Sequence, residues 1–103
     1  MVIEWLKFDV DPELREAFIQ ADDDIWSTAL ANYPGYLGKE VWISPTAPRD
    51  VIVIVRWASQ AAWDAVPTDE VNQVEARFSA RMKGAYRLVE SSAYQQRKFR
   101  QNS

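Results

Sequence analysis

The chain has 103 residues, which suits one domain built around one core, and we predict a single domain over residues 1–103. Its apolar (48%) and charged (26%) fractions are typical of a folded protein. The absence of Cys and His excludes disulfides, thiolate chemistry and every site that needs a histidine. With a net charge of −3, nucleic acid is not an expected partner.

The charges are unevenly divided along the chain. Residues 1–70 hold 5 basic and 13 acidic side chains, whereas residues 71–103 hold 7 basic and 2 acidic ones. We expect the two parts to attract each other, within one fold or across a dimer. The alternative is a basic surface that receives an anionic ligand.

The first predicted element is a strand over residues 2–10, because VIEWLKFDV is rich in β-branched and aromatic residues. Glu4, Lys7 and Asp9 interrupt the apolar stretch, so it does not resemble a signal peptide. No apolar run approaches the roughly 20 residues that cross a bilayer. We therefore expect a cytoplasmic protein without membrane contact.

A helix follows, with Asp11 as its N-cap and Pro12 in its first turn. One apolar stripe with the helical period runs along it: Leu14, Phe18, Ala21, Ile25 and Ala29. The acidic run 22–24 diverges by about 100° per residue, so we predict a solvated face and no metal site. Pro34-Gly35 ends this helix.

The remaining chain predicts two strands, two helices and a last strand. YLGKEVWIS (36–44) and VIVIVRW (51–57) form a hairpin around a two-proline loop. Ser59 caps a short helix, and a longer helix runs from Thr68 to a C-terminal cap at Gly84. AYRLVESSAYQQRKF (85–99) is a long fourth strand. The order β-α-β-β-α-β predicts an α+β, ferredoxin-like sandwich with both helices on one face of an antiparallel sheet.

The strands indicate a second subunit. An antiparallel sheet with one wet face alternates apolar and polar residues, but the stretch 51–55 is apolar throughout. In the first strand, Ile3 and Trp5 point to one face of the sheet, and Leu6 and Phe8 point to the other. Two helices cover only one face, and an uncovered apolar face is typical of an interface. We predict a homodimer whose sheets face each other, with the long last strand reaching toward the partner.

The segments YPGYLGKEVW and VRWASQAAWDAV give the chain a family resemblance. Pro34-Gly35, an aliphatic strand, and then Trp57, Ser59, Ala62 and Trp63 are similar to the antibiotic-biosynthesis-monooxygenase-like branch of the dimeric α+β barrel superfamily. More narrowly, the whole pattern resembles a small family of cyanobacterial proteins that carries no assigned function. The resemblance implies a dimeric α+β barrel with a binding cavity.

The branch includes cofactor-independent monooxygenases that act on aromatic polyketides, haem-degrading enzymes and small members without demonstrated activity. Trp57 matches the tryptophan that contacts the porphyrin in haem-degrading members. The histidine that binds the iron there has no counterpart, so we expect no haem and no other cofactor. Relatives also carry a histidine after the W-x-S segment, where this chain reads WDAVPTDE. The residues thus leave open whether the protein is an enzyme, and no catalytic residue is assigned.

Five strand residues are the candidate ligand-binding residues: Trp5, Glu40, Trp42, Arg56 and Trp57. Flat tryptophan rings suit the walls of a cavity. Arg56 either pairs with a strand glutamate or holds a carboxylate or enolate ligand. Glu4 or Glu40 would serve as a general base if burial raised its pKa. Trp26 and Trp63 lie on helices, and we predict that they are packing residues.

Three functions remain for these residues. The first is a dimeric barrel that binds a small, largely apolar or aromatic molecule without catalysis. The second is a cofactor-independent oxygenase, in which a dry pocket and Arg56 or a tyrosine hold the substrate's enolate. The third is an RNA-recognition module, which shares the element order but needs exposed aromatic residues where VIVIVRW is aliphatic.

Overall fold

A computed structural model describes residues 1–101 of the chain. Four strands form one antiparallel sheet: β1 (Val2–Val10), β2 (Tyr36–Ile43), β3 (Asp50–Trp57) and β4 (Tyr86–Gln95). Their order across the sheet is β2-β3-β1-β4. Helical residues 12–30, called here the first helix, connect β1 to β2, and the short helix Gln60–Asp64 and the long helix Thr68–Met82 connect β3 to β4. The predicted α+β, ferredoxin-like arrangement is confirmed.

The first helix begins as predicted but does not stay regular. Asp11 caps it by accepting a hydrogen bond from the backbone N–H of Glu13 at 3.0 Å. A 3-10 turn (Pro12–Leu14) leads into α-helix (Arg15–Ala21), then a π-helical segment (Asp22–Ser27) and a last α-turn (Thr28–Leu30). The wider π turns rotate the following residues away from their α-helical positions. Asp22 precedes this change and lies one helical turn after the buried Phe18, so it faces the core with 5% of its surface exposed, and its prediction as part of a solvated face is wrong.

The core lies between the helices and one face of the sheet, called here the helix face. The rings of Phe18 and Phe78 meet edge to face at 5.2 Å, and the ring of Phe8 lies 5.2 Å from that of Phe18. From β3, Val51, Val53, Val55 and Trp57 all point into this core and are 3% exposed or less. Burying these side chains supplies most of the hydrophobic stabilisation of the fold.

The other face of the sheet, called here the open face, has no helix against it. It carries Ile3 and Trp5 of β1 opposite Arg56 and Ile54 of β3. Trp42 of β2 lies opposite Ile52, and its side chain is 47% exposed. The strands β1 and β3 therefore carry apolar residues on both faces, as the sequence predicted.

Ion pairs link the two oppositely charged parts of the chain. Arg81 contacts Asp24 at 2.9 Å, and Arg87 contacts Asp9 at 3.7 Å. The expected attraction between the two parts is thus present within one fold. Among residues 1–101, no helix is long and apolar enough to cross a membrane.

Candidate functional site

A cavity of about 550 Å³ lies between the helix face of the sheet and the helices. Three tryptophans line it: Trp26 from the first helix, Trp57 from β3 and Trp63 from the short helix. Four further rings complete the aromatic lining: Phe8, Phe18, Phe78 and Tyr86. The volume falls in the range of small-molecule sites, and aromatic walls suit flat, apolar ligands.

Trp57 is fixed in this cavity by contacts on two sides. It is the last residue of β3 and is 1% exposed. The Tyr36 ring meets the Trp57 indole edge to face, with centroids 5.9 Å apart. The indole Nε1–H donates a hydrogen bond to Oε1 of Glu4 at 3.3 Å. This hydrogen bond places a carboxylate beside the largest ring of the cavity.

Glu4 reaches the cavity from β1, one of the two inner strands of the sheet. Burial raises the pKa of the Glu4 carboxyl above its usual value, and the Trp57 hydrogen bond and the Lys39 charge oppose that rise. A carboxyl with a raised pKa is better suited to accept and return protons near neutral pH than an exposed one.

A buried ion pair lies in the same lining. Nζ of Lys39 on β2 contacts Oδ1 of Asp22 at 2.6 Å, and both side chains are 7% exposed. Burial raises the pKa of Asp22 and lowers that of Lys39, while the attraction between the two charges opposes both shifts. Each charge therefore depends on the other, because either one alone would be a desolvated ion.

Two further polar residues line the cavity from β4 and the long helix. The Tyr86 hydroxyl donates a hydrogen bond to Glu75. Burial and that carboxylate raise the pKa of Tyr86 to about 12, so its phenol stays protonated at neutral pH. Within residues 1–101, no three Asp or Glu side chains converge to hold a metal ion.

Of the five predicted ligand-binding residues, only Trp57 lines this cavity. Strand alternation places Trp5, Glu40, Trp42 and Arg56 on the open face, and Trp57 on the helix face. Ligand binding by those four residues stays a prediction, and a ligand that contacts them would lie outside this cavity.

On the open face, Arg56 forms the ion pair that the sequence suggested. Its Nε and Nη2 donate to Oε1 of Glu40 at 3.0 and 2.7 Å. The Trp42 indole N–H donates to Oε2 of the same carboxylate at 2.9 Å. These hydrogen bonds lower the pKa of Glu40, which makes Glu40 a poor general base.

Sequence reasoning missed most of the lining, including Asp22, Trp26, Lys39 and Trp63. Asp22 follows Phe18 by four residues, so helical spacing places both on one side, and Trp26 follows Asp22 by four residues within the π segment, where it also lines the cavity. Lys39 follows a register shift between Tyr36 and Gly38. The sequence carried one signal for Lys39. It lies two residues before Val41 on β2, so strand alternation directs both side chains to the helix face.

The fold and the sequence have matches among known proteins. The model of the antibiotic biosynthesis monooxygenase family matches residues 1–68. No curated protein matches the chain by sequence. A monooxygenase from the gene ActVA-Orf6 of Streptomyces coelicolor, solved with the ligand nanaomycin D, is similar in structure, with a TM-score of 0.76 and 15% identity over 99% of this chain and 92% of that chain.

Two further solved structures share the fold. HapK from Hahella chejuensis has a TM-score of 0.71 and 19% identity, covering 100% of this chain and 99% of its own. SnoaB, a cofactor-independent oxygenase from Streptomyces nogalater, has a TM-score of 0.67 and 12% identity, covering 95% of this chain and 94% of its own. At these identities the similarity establishes the fold alone.

Proposed function

The chain belongs to the antibiotic biosynthesis monooxygenase family, and from that premise we propose that it binds a small, largely apolar or aromatic molecule in its cavity. The observation that carries the proposal is the cavity of about 550 Å³ with seven aromatic rings in its lining. Burial of apolar ligand surface against such walls drives binding, and a few polar groups orient the ligand.

The polar groups are grouped in a way that suits one oriented ligand. Glu4, Asp22 and Lys39 all line the cavity from different elements, and the hydrogen bond from Trp57 joins Glu4 to an aromatic wall. A ligand in contact with Trp57 would therefore have the carboxyl of Glu4 within reach. The Tyr86 phenol offers a second polar contact, from β4.

A matched pair of variants on the long helix tests this proposal. Val71 lines the cavity, whereas its neighbour Asn72 is exposed and does not line it. We expect 1-naphthalenemethanol, a neutral aromatic probe, to bind saturably at one site per chain, measured by isothermal titration calorimetry. Val71→Trp fills the cavity and should weaken binding by about tenfold or more, equivalent to about 1.4 kcal/mol. Asn72→Trp should leave the affinity within about twofold. Absence of saturable binding, or equal loss in both variants, would refute the proposal.

A cofactor-independent monooxygenase is the second candidate, favoured by one observation. Glu4 lies in the cavity with a raised pKa, which suits the acceptor of a substrate proton. The chemistry also needs a positive charge for the resulting oxyanion, and the Lys39 ammonium is already paired with Asp22. For this reason we rank binding first. The ranking would be reversed if the wild-type protein consumes oxygen with a hydroxyanthracene substrate and Glu4→Gln does not.

We further propose that the protein is a homodimer whose copies meet through their open faces. Members of this family are typically dimers. The open face carries Trp5, Ile52 and the half-exposed Trp42, and a partner would remove these side chains from water. β4 is an edge strand of the sheet and so is free to approach the partner. The cytoplasmic location and the lack of a nucleic-acid or membrane partner stay predictions from the sequence.

A further inference from the structure

The ionisable side chains around the cavity are unequally divided between acids and bases. Four carboxylates and one ammonium line it, and they belong to Glu4, Asp22, Asp64, Glu75 and Lys39. No arginine of residues 1–101 is among the lining residues. Lys39 is paired with Asp22 at 2.6 Å, so these two charges largely cancel for a ligand. Among residues 1–101, the three remaining carboxylates form no ion pair, although the Lys39 charge also acts on Glu4.

Glu4 is the carboxylate best placed to meet a ligand. Glu75 already accepts the hydrogen bond from Tyr86. Asp64 is exposed and accepts a hydrogen bond from Nε2 of Gln60 at 2.9 Å. Glu4 is partly buried, and Trp57 is its one hydrogen-bond donor within the described residues, bound to Oε1 alone. Its Oε2 is thus left as an acceptor beside the Trp57 ring.

Aromatic faces add to the same preference. The face of a tryptophan ring carries negative electrostatic potential and attracts a cation within about 6 Å of its centre. Trp26, Trp57 and Trp63 line the cavity together with Glu4. In a site with reduced water access, both this attraction and the charge of Glu4 act more strongly than in bulk water.

We propose that the ligand of this cavity is an organic cation, namely a protonated amine on an aromatic or alkyl body. The ammonium group lies against Oε2 of Glu4 and the tryptophan faces, and the apolar body fills the space lined by the phenylalanines. The inference rests on the proposed binding function and specifies the class of ligand. An anionic ligand such as a carboxylate or enolate is disfavoured, because it would meet three carboxylates and an ammonium that is already paired.

Three naphthalene probes of nearly one shape test the charge preference. They are 1-naphthylmethylamine, 1-naphthalenemethanol and 1-naphthoic acid, which are cationic, neutral and anionic at about pH 8. Isothermal titration calorimetry with the purified protein gives each dissociation constant. We expect the amine to bind about tenfold or more tightly than the alcohol, and the acid to bind most weakly.

The Glu4→Gln variant and a matched control locate the preference. Glu4→Gln keeps the shape of the side chain and should reduce the amine-to-alcohol affinity ratio to less than about threefold, mostly through loss of amine binding. Glu16→Gln removes a glutamate whose side chain is 81% exposed on the first helix, and it should keep the wild-type ratio.

Several results would overturn the inference, and they separate it from the proposed function. Equal binding of amine and alcohol, or tightest binding of the acid, refutes the cation preference while the binding function stands. A ratio that persists in folded Glu4→Gln refutes the role of Glu4. If none of the probes binds, both proposals fail. If Glu4→Gln does not fold, the ranking of the three probes on the wild-type protein decides.

Discussion

On β3, Val51, Val53 and Val55 contact the core, whereas Ile52 and Arg56 of the same strand lie on the open face. The helix face is sealed by helices except where the cavity lies, and there the buried groups include a carboxyl and an ion pair. The open face has no such cover, and its ion pair between Arg56 and Glu40 is partly exposed. Under the proposed function, one sheet would serve two purposes, with a ligand on one side and a second copy on the other.

The largest expected effect is loss of packing on the helix face. Phe18 is 1% exposed and its ring contacts those of Phe8, Phe78 and Tyr86. Phe18→Ala should lower the free energy of unfolding by about 3–5 kcal/mol through lost burial and a residual cavity. Urea denaturation measures this change. The control is Phe99→Ala, at a side chain that is 75% exposed, with an expected change below about 0.5 kcal/mol.

Removal of one partner of the buried ion pair should have a similar effect. Lys39→Met leaves the Asp22 carboxylate desolvated, at a cost of about 3–5 kcal/mol near neutral pH. Lys7→Met is the matched control, because its contact with Asp50 is 3.6 Å long and both side chains are about one-third exposed. It should cost less than about 1 kcal/mol. Equal costs in the two variants would contradict the assignment of a buried pair.

The loss of unfolding free energy in Lys39→Met, relative to the wild-type protein, should also depend on pH. Burial raises the pKa of Asp22 in the folded protein, so its stabilising contribution is complete at low pH and is lost as pH rises through the folded-state pKa. Without Lys39, which lowers that pKa, the rise is larger. The difference from the wild-type protein should therefore shrink as pH falls from about 7 toward about 4, measured by urea denaturation. A deficit that grows on acidification would contradict this account.

A smaller but sharp effect is expected where the first helix meets β2. Gly35 has φ of +89°, and a Cβ built there would lie 2.4 Å from the Cβ of Ala62. Gly35→Ala should lower the free energy of unfolding by about 2–4 kcal/mol through backbone strain and displacement of the short helix. Gly84→Ala is the control, with φ of +76° and no atom within 4 Å, so it carries strain alone. In thermal unfolding, the midpoint temperature of Gly35→Ala should lie well below that of Gly84→Ala.

On the open face, the expected effect is on self-association. Trp42→Ala should raise the dimer dissociation constant by about tenfold or more, because exposed tryptophans at interfaces contribute disproportionately to binding. Sedimentation equilibrium measures it. Leu14→Ala is the control, since Leu14 is also an exposed apolar residue (41%) but belongs to the first helix. If the two substitutions change the dissociation constant equally, the open face is not the dimer interface.

The smallest expected effect is on ligand affinity, and it tests whether a residue of the open face contributes to binding in the cavity. Arg56→Met should change the affinity for 1-naphthalenemethanol by less than about twofold, because Arg56 and the cavity lie on opposite faces of the sheet. Isothermal titration calorimetry checks this. A loss of about tenfold would restore Arg56 as a ligand-binding residue, as the sequence alone predicts.

The sequence predicted the order of elements and the two-faced sheet well, because both depend on local patterns. Neighbouring residues in the sequence are enough to predict the helix caps at Asp11 and Ser59 and the strand over 51–55. Ser59, for example, caps the short helix by accepting a hydrogen bond from the N–H of Ala62 at 3.1 Å. The structure also explains the PG and W-x-S-x-x-A segments of the family pattern, since Gly35 packs directly on Ala62.

The site was less predictable because it depends on departures from regular geometry. The π-helical segment changes the direction of the residues after Asp22, Trp26 among them, and a register shift in β2 precedes Lys39. Neither departure has a reliable signal in a single sequence. Trp5 and Trp57 looked equivalent as strand tryptophans, and only the strand register assigns them to opposite faces.

Native mass spectrometry of the purified protein with 1-naphthalenemethanol is the most direct test of the two-faced account. We predict a dimer near twice 11.9 kDa that carries two probe molecules, one in the cavity of each chain. A monomer would contradict the role of the open face. A dimer that carries only one probe molecule would contradict the assignment of one ligand site to the cavity of each chain.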